Sequence, residues 1–156
     1  EADRVNDRLL FDPAVGRCMD QLHIDIDGTD FTADVLDERA PRSVDALADL
    51  LPLETTIAHV RWSGYAVWID IEAVELPDLP REHHTVYPSR GDILLYPGYR
   101  NVQEILIACG PTCFKSPAGE LAGNHVATIT GRDGDLATIE SETLEAGRKP
   151  VRLTAD

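Results

Sequence analysis

The stretch that most restricts this chain is "QLHIDIDGTDFTADV", residues 21–35. Leu22, Ile24 and Ile26 alternate with His23, Asp25 and Asp27, and Phe31, Ala33 and Val35 then alternate in the same way. A period of two is that of a strand with one dry and one wet face. Asp27-Gly28, inside "DGTD", is a strong turn signal between two such runs. Residues 20–37 therefore read as a β-hairpin.

The elements that follow are equally short. "APRSVDALADLLP" puts Val44, Leu47, Leu50 and Leu51 on one face at helical spacing, with Pro41 suited to the first turn and Pro52 to the stop. That predicts a short amphipathic helix packed on a sheet. "TTIAHVRWSGYAVWIDIEAVEL" reads as two alternating strands joined by a bend at Ser63-Gly64, and "PDLPREHHTVYPSRGD" as a loop. "DILLYPG" is a short strand, and "EILIACG" is apolar enough to be a central one. After the loop "PTCFKSPAGELAGN", the run "LAGNHVATITG" opens a strand with a Gly-Asn-His turn. In it Val126, Thr128 and Thr130 alternate with Ala127 and Ile129. "DGDLATIESETLEAG" predicts a helix with Leu136, Ile139 and Leu144 on one face and Gly147 at its C-cap. "PVRLT" reads as a terminal strand.

Seven to nine short strands with two helices predict a mainly β protein, a closed or nearly closed antiparallel barrel. The βαβα alternation and glycine loops of nucleotide-binding sheets are missing. Residues 1–18 are expected to form an N-terminal arm or extra strand, and residues 19–156 a single barrel domain, the usual outcome for 156 residues.

Charge narrows the partners. Against 28 acids stand 14 bases, a net charge of −14, which repels phosphate backbones and anionic lipid. Neither nucleic acid nor membrane is an expected partner. No apolar run approaches the roughly 20 residues of a membrane span. The opening "EADRVNDRLLFDP" lacks the apolar core of a signal peptide, and the three cysteines are an odd number. Both observations lead to the expectation of a cytoplasmic protein with reduced thiols. Cys109 and Cys113 do not have C-x-x-C spacing and read as small apolar residues.

Three segments, in order, resemble the cyclophilins. "APRSVDALADL" is similar to their first helix, "HVRWSGYAVWI" to the strand that carries their catalytic arginine, and "LAGNHVATITG" to the run whose histidine lines their active site. The likeness covers roughly residues 20–155. A closer resemblance is to a bacterial and archaeal family of small cyclophilin-like proteins of unknown function. That likeness rests on Arg61 to Trp68, Tyr87 to Gly98, and Ala122 to His125. The proline pocket of cyclophilins is rebuilt: Glu120 stands for a tryptophan, Tyr65 and Ala66 for a Phe-Met pair, and Trp68 for a glutamine.

The resemblance implies a cleft with Arg61 and His125 as the catalytic candidates. An arginine fork clamps a carboxylate or carbonyl, and a histidine donates or accepts a proton near neutrality. Trp62, Tyr65, Trp68 and Phe114 would form aromatic walls. Asn124 would be a contact or a turn residue. Glu104 would pair with Arg61 across the barrel, act as an acid or base, or mark a strand edge. No metal and no cofactor are expected. His83 and His84 are adjacent and would point apart on a strand, and the His-x-His of cupins is missing. The first functional reading is a cleft that binds a small molecule or peptide fragment, reaction unassigned. The others are a prolyl isomerase and a non-catalytic module that assembles as a homo-oligomer.

Overall fold

The structure, a computed structural model, describes residues 19–155; the expected arm over 1–18 lies outside them. The hairpin forms where the alternation places it. β1 (Gln21–Ile26) and β2 (Thr29–Val35) pair in register, Ile24 opposite Phe31. Asp27 and Gly28 take φ of 50° and 88°, the left-handed pair that the tight turn demands. The Asp25 carboxylate accepts the Gly28 amide at 2.9 Å.

The chain continues through α1 (Pro41–Leu50), β3 (Leu53–His59), β4 (Gly64–Asp70), β5 (His84–Thr85) and β6 (Asp92–Tyr96). It then forms β7 (Glu104–Thr112), a two-stranded flap of β8 (Lys115–Ser116) and β9 (Gly119–Glu120), β10 (Gly123–Ile129), α2 (Asp133–Ala146) and β11 (Lys149–Ala155). The strand order β2-β1-β11-β3-β4-β7-β6-β10 closes on itself through a β10–β2 pairing, all antiparallel. This is the expected closed barrel of eight strands, with β5 added beside β10. None of its helices is long and apolar enough to cross a membrane, among the described residues.

Closure gives every strand an inside and an outside. Inside lies the main core, including Leu22, Ile24, Ile57, Ile69, Ile105, Ile107 and Leu153. Each such burial stabilises by about 1.5–3 kcal/mol. α1 joins this core through Val44, Ala46, Leu47 and Ala48.

α2 docks differently. Leu136 and Ile139 enter the core as expected, but Leu144 is exposed, and Glu140 and Thr143 take the buried positions. Two polar groups from the β3–β4 hairpin meet the helix. His59 Nε2 lies 2.8 Å from Glu140 Oε1, and Arg61 Nη2 donates to the Leu144 carbonyl at 2.7 Å. The helix face is thus set by its polar partners rather than by hydrophobic spacing alone.

Candidate functional site

β4, β7 and β6 are apolar on both faces, which is why "EILIACG" has no polar alternation. Ile105 and Ile107 point into the barrel, and Leu106 points out. On the outside, Leu106, Ala66, Leu94 and Tyr96 form a second cluster with Val60, Phe114 and Leu121. The last two come from a strap, residues 112–123, laid across the sheet. One edge of the strap is tied to the β3–β4 turn: Cys113 N donates to Ser63 O at 2.8 Å, and Trp62 Nε1 to Lys115 O at 2.8 Å. The other edge is tied to residue 86 through Phe114 N and Val86 O, 2.7 Å. Gly123 permits this close stacking, since a Cβ there would lie 2.9 Å from Leu94 Cβ and 3.1 Å from the Phe114 ring.

His125 sits on the outer face of β10 because of a register break. Between His125 and Ala127 the pairing with β6 shifts by one residue. Val126 and Ala127 therefore both turn into the core, and His125 and Thr128 both face out. The simple alternation expected through Val126 and Thr128 fails at this bulge. His125 Nε2 lies 2.8 Å from Thr128 Oγ1 and 3.1 Å from Asp92 Oδ1, and Thr128 Oγ1 donates to that same oxygen at 3.1 Å. The second Asp92 oxygen accepts the Ser89 amide at 2.8 Å. Burial alone would raise the Asp92 carboxyl; its bonds to His125, Ser89 and Thr128 outweigh that and hold it below the usual aspartate value. His83 stacks on the His125 ring, centroids 5.0 Å apart, from a left-handed φ of 45°. The sequence does not single out Asp92 or Thr128 as partners of His125, and it raises His83 only as a candidate metal ligand. The signal for Asp92 was the Gly-Asp step inside the Tyr87–Gly98 motif.

The residues expected to surround His125 are dispersed. Arg61 lies in the β3–β4 turn rather than on a strand, and its guanidinium holds the end of α2. Arg61 and His125 share no partner among the described residues. Phe114 is fully buried, edge-on to Tyr96 at 5.5 Å, and so is core rather than pocket wall. Asn124 is also fully buried. Its Nδ2 donates to Ser43 Oγ at 2.9 Å and Pro80 O at 3.0 Å, and its Oδ1 accepts the Glu82 amide at 3.2 Å. Both amide hydrogens are used in bracing α1 and the 80–82 loop against β10.

Glu104 is not at a sheet edge and does not reach Arg61. It lies in β7 between β4 and β6, 6% exposed, and burial pushes its carboxyl up to about 7. Trp68 is half-buried with the Arg148 guanidinium 5.7 Å from its ring centroid. Trp62 and Tyr65 are exposed on either side of the turn. Of the thiols, Cys109 is buried and pushed up to about 12 by that burial. Cys113 is half-buried, and burial and then the Glu120 charge raise it. Both are protonated at neutral pH; the buried Cys109 fits the apolar reading, whereas Cys113 Sγ donates to Glu120 Oε1 at 3.7 Å. Cys18 lies outside the described residues. Among those residues no group of three His, Cys, Asp or Glu side chains is placed to hold a metal.

One feature of the outer face was not foreseen. The β6–β7 ladder is closed by Gly91 N to Ala108 O at 2.7 Å and resumes at the Phe114–Val86 bond. Between those two bonds the chains part. On its other side β7 also bulges, because Tyr65 alone stands opposite Cys109, Gly110 and Pro111. Gly64 permits this with φ of 114°, where a Cβ would lie 2.6 Å from Pro111 O. The parted chains form an open groove of about 460 Å³ lined by Pro88, Ser89, Arg90, Gly110, Pro111 and Thr112. Arg90 donates from Nε to Cys109 O at 3.4 Å. Its outer nitrogen meets Asp133 at 3.6 Å, with both side chains about half exposed or more. Ser89 links the groove to Asp92 and so to His125.

Comparison with known proteins agrees on the fold. McbB, solved in complex with tryptophan, is similar with a TM-score of 0.66 and 20% identity; the match covers 86% of this chain and 44% of McbB. This chain thus spans less than half the length of McbB. The solution structure of the hypothetical protein AF2241 from Archaeoglobus fulgidus matches with a TM-score of 0.57 and 18% identity, over 91% of this chain and all of that one. A cyclophilin-type peptidyl-prolyl cis-trans isomerase from Cryptosporidium parvum, crystallised with the dipeptide Ala-Pro, matches with a TM-score of 0.55 and 12% identity. That match covers 87% of this chain and 98% of the isomerase. No curated protein is similar in sequence. The barrel is therefore cyclophilin-like. Residues 22–155 match a single family, described as protein of unknown function (DUF3830), and the chain belongs to it.

Proposed function

We propose that this protein binds a small carboxylate-bearing molecule, or the carboxylate end of a short peptide, in the groove between Pro88–Arg90 and Gly110–Thr112. The observation that carries this reading is the parting of β6 and β7 between two sound hydrogen bonds. A ladder opened in this way leaves backbone groups facing a groove, and its volume of about 460 Å³ suits a small ligand. Arg90 supplies the fork that a carboxylate takes bidentately. Its present partner, Asp133, is a loose surface pair that a ligand displaces at little cost. The exposed ring of Tyr65 flanks the groove, against Gly110. The ligands named for two structural relatives, tryptophan and Ala-Pro, are both small zwitterions with a free carboxylate. That fact belongs to those proteins and here serves as a choice of probe.

Calorimetric titration with L-tryptophan and with Ala-Pro, each beside its C-terminal amide, tests the reading. Saturable binding of an acid, lost in its amide and weakened at least roughly tenfold by Arg90→Ala, is the expected result. Arg61→Ala should leave it unchanged, because that side chain is committed to α2. Binding of neither acid, or binding indifferent to Arg90, removes the proposal.

A further inference from the structure

The cation of the Arg90 groove has an anion beside it. Arg90 occupies the corner of a four-residue turn, closed by the Asp92 amide donating to Ser89 O at 3.0 Å. The next residue, Gly91, is clamped between two strands: its amide donates to Ala108 O at 2.7 Å, and its carbonyl accepts the Ile129 amide at 2.8 Å. Asp133 is the first residue of α2, whose opening turn is closed by the Asp135 and Leu136 amides on Arg132 O at 3.0 and 3.1 Å. Opposite charges thus stand side by side on two fixed stretches of backbone.

The two charges are neighbours that do not satisfy each other. Arg90 Nη1 lies 3.6 Å from Asp133 Oδ2, an ion pair too long for a hydrogen bond. Arg90 Nε is turned to Cys109 O at 3.4 Å, while Nη2 has no partner among the described residues. Asp133 Oδ1 has none among them either. Both side chains are about half exposed or more, so a ligand in the groove reaches the pair. The groove itself disfavours an extended peptide. Pro88 and Pro111 line it, and neither has a backbone N–H to donate to an added strand. A ligand there is held by its charged groups rather than by its backbone.

We propose that the Arg90–Asp133 pair selects a free α-amino acid, with the carboxylate on Arg90 and the α-ammonium on Asp133. The inference rests on the reading of the groove as a carboxylate site and names the class of carboxylate. In a free amino acid a single carbon separates the two charged groups, so its dipole lies head to tail against opposite charges 3.6 Å apart. The carboxylate takes the unused guanidinium edge, and the ammonium brings three donors to the Asp133 oxygens. A simple carboxylate satisfies Arg90 but competes with Asp133 for it. A peptide carries its ammonium at least one residue too far from its carboxylate. The exposed Tyr65 ring, set against Gly110, gives an apolar side chain a surface to meet.

L-Phenylalanine and 3-phenylpropanoate, which differ only in the α-ammonium group, are the probes. Calorimetric titration at neutral pH uses about 0.15 M salt, which screens the net charge of −14. Phenylalanine should bind roughly fivefold more tightly. Asp133→Asn should then move the two probes in opposite directions. Phenylalanine should weaken roughly fivefold, and phenylpropanoate should strengthen by up to roughly twofold, because its rival for Arg90 is gone. A merely structural role for Asp133 would move both the same way. Asp135→Asn makes the same charge change in the same helical turn, but its carboxylate faces Arg132, and it should alter neither affinity. Equal binding of the two probes, or a parallel response to Asp133→Asn, would overturn the amino-acid assignment and leave the carboxylate groove standing. Binding of neither probe would overturn the groove, and this inference with it.

Discussion

His59 and His125 each face a carboxylate oxygen, at 2.8 Å from Glu140 and 3.1 Å from Asp92, yet the two pairs are built in opposite ways. The His59 pair is closed over by α2, with side chains only 5% and 9% exposed, and its Nδ1 has no partner among the described residues. The His125 pair is somewhat more open, and its Nε2 and both Asp92 oxygens are engaged: Thr128 bridges it, the Ser89 amide completes Asp92, and His83 covers the ring. Enclosure explains the contrast. Under α2, Leu136 and Ile139 enter the core, and the one further partner the pair has among the described residues is the Ser141 hydroxyl, 3.5 Å from the far Glu140 oxygen. On the outer face, loops and backbone amides are within reach. The first pair is a strut that positions a helix, and the second is a node joining β6, β10 and the groove rim.

The comparison is most severely tested at the strut. Glu140→Ala would leave the His59 ring enclosed with no partner at either nitrogen, and should destabilise the protein by about 3–5 kcal/mol. Replacing both residues with leucine should recover much of that loss, because an apolar pair satisfies the site without charge. Chemical denaturation measures both; a loss below about 1 kcal/mol for Glu140→Ala would show that the pair is not a strut.

The node should respond more mildly and with a pH signature. Asp92→Asn should cost about 1–2 kcal/mol at neutral pH. The folded Asp92 carboxyl titrates below its unfolded value, so its contribution is present above about pH 4 and fades as pH falls through the folded value. The wild type should therefore lose this increment in acid while the asparagine variant has none to lose. Parallel acid limbs for the two proteins, followed by fluorescence, would contradict the assignment.

The smallest effect belongs to Arg61. Removing its bond to the Leu144 carbonyl should cost about 0.3–1 kcal/mol, the scale of a cation at a helix C-terminus. A thermal melt of Arg61→Ala reads this directly. A loss several times larger would give the residue a role beyond the helix end.

The elements themselves were readable because their signals are local. "DGTD" placed the first hairpin, Pro41 and Pro52 bracketed α1, and the unbroken apolar run of "EILIACG" marked a strand covered on both faces. The site residues were less readable, since each depends on partners far away along the chain. Glu140 is 81 residues from His59, and Asn124 is 81 from Ser43. Nothing near Asn124 in sequence shows that its amide hydrogens are taken. Phe114 looked like a pocket wall because the strap that buries it is itself a loop without periodicity. Arg61 was placed opposite His125 through resemblance, and a turn two residues past the end of β3 sends it to α2 instead.

By itself the sequence determined the barrel: period-two runs, turn pairs and two helix stops leave few other ways to bury these strands. The resemblance pointed to three stretches of chain, Arg61–Trp68, Tyr87–Gly98 and Ala122–His125. Only the tertiary structure decided what those stretches do. The one-residue bulge at Val126 turns His125 outward toward Thr128 and Asp92, and the parting of β6 from β7 opens a groove at Arg90. Packing also buries Glu104 in β7, between β4 and β6. The physical reason is the same in each case. Periodicity is a property of one strand, whereas register, bulges and polar satisfaction belong to pairs of strands and are fixed only when the barrel closes.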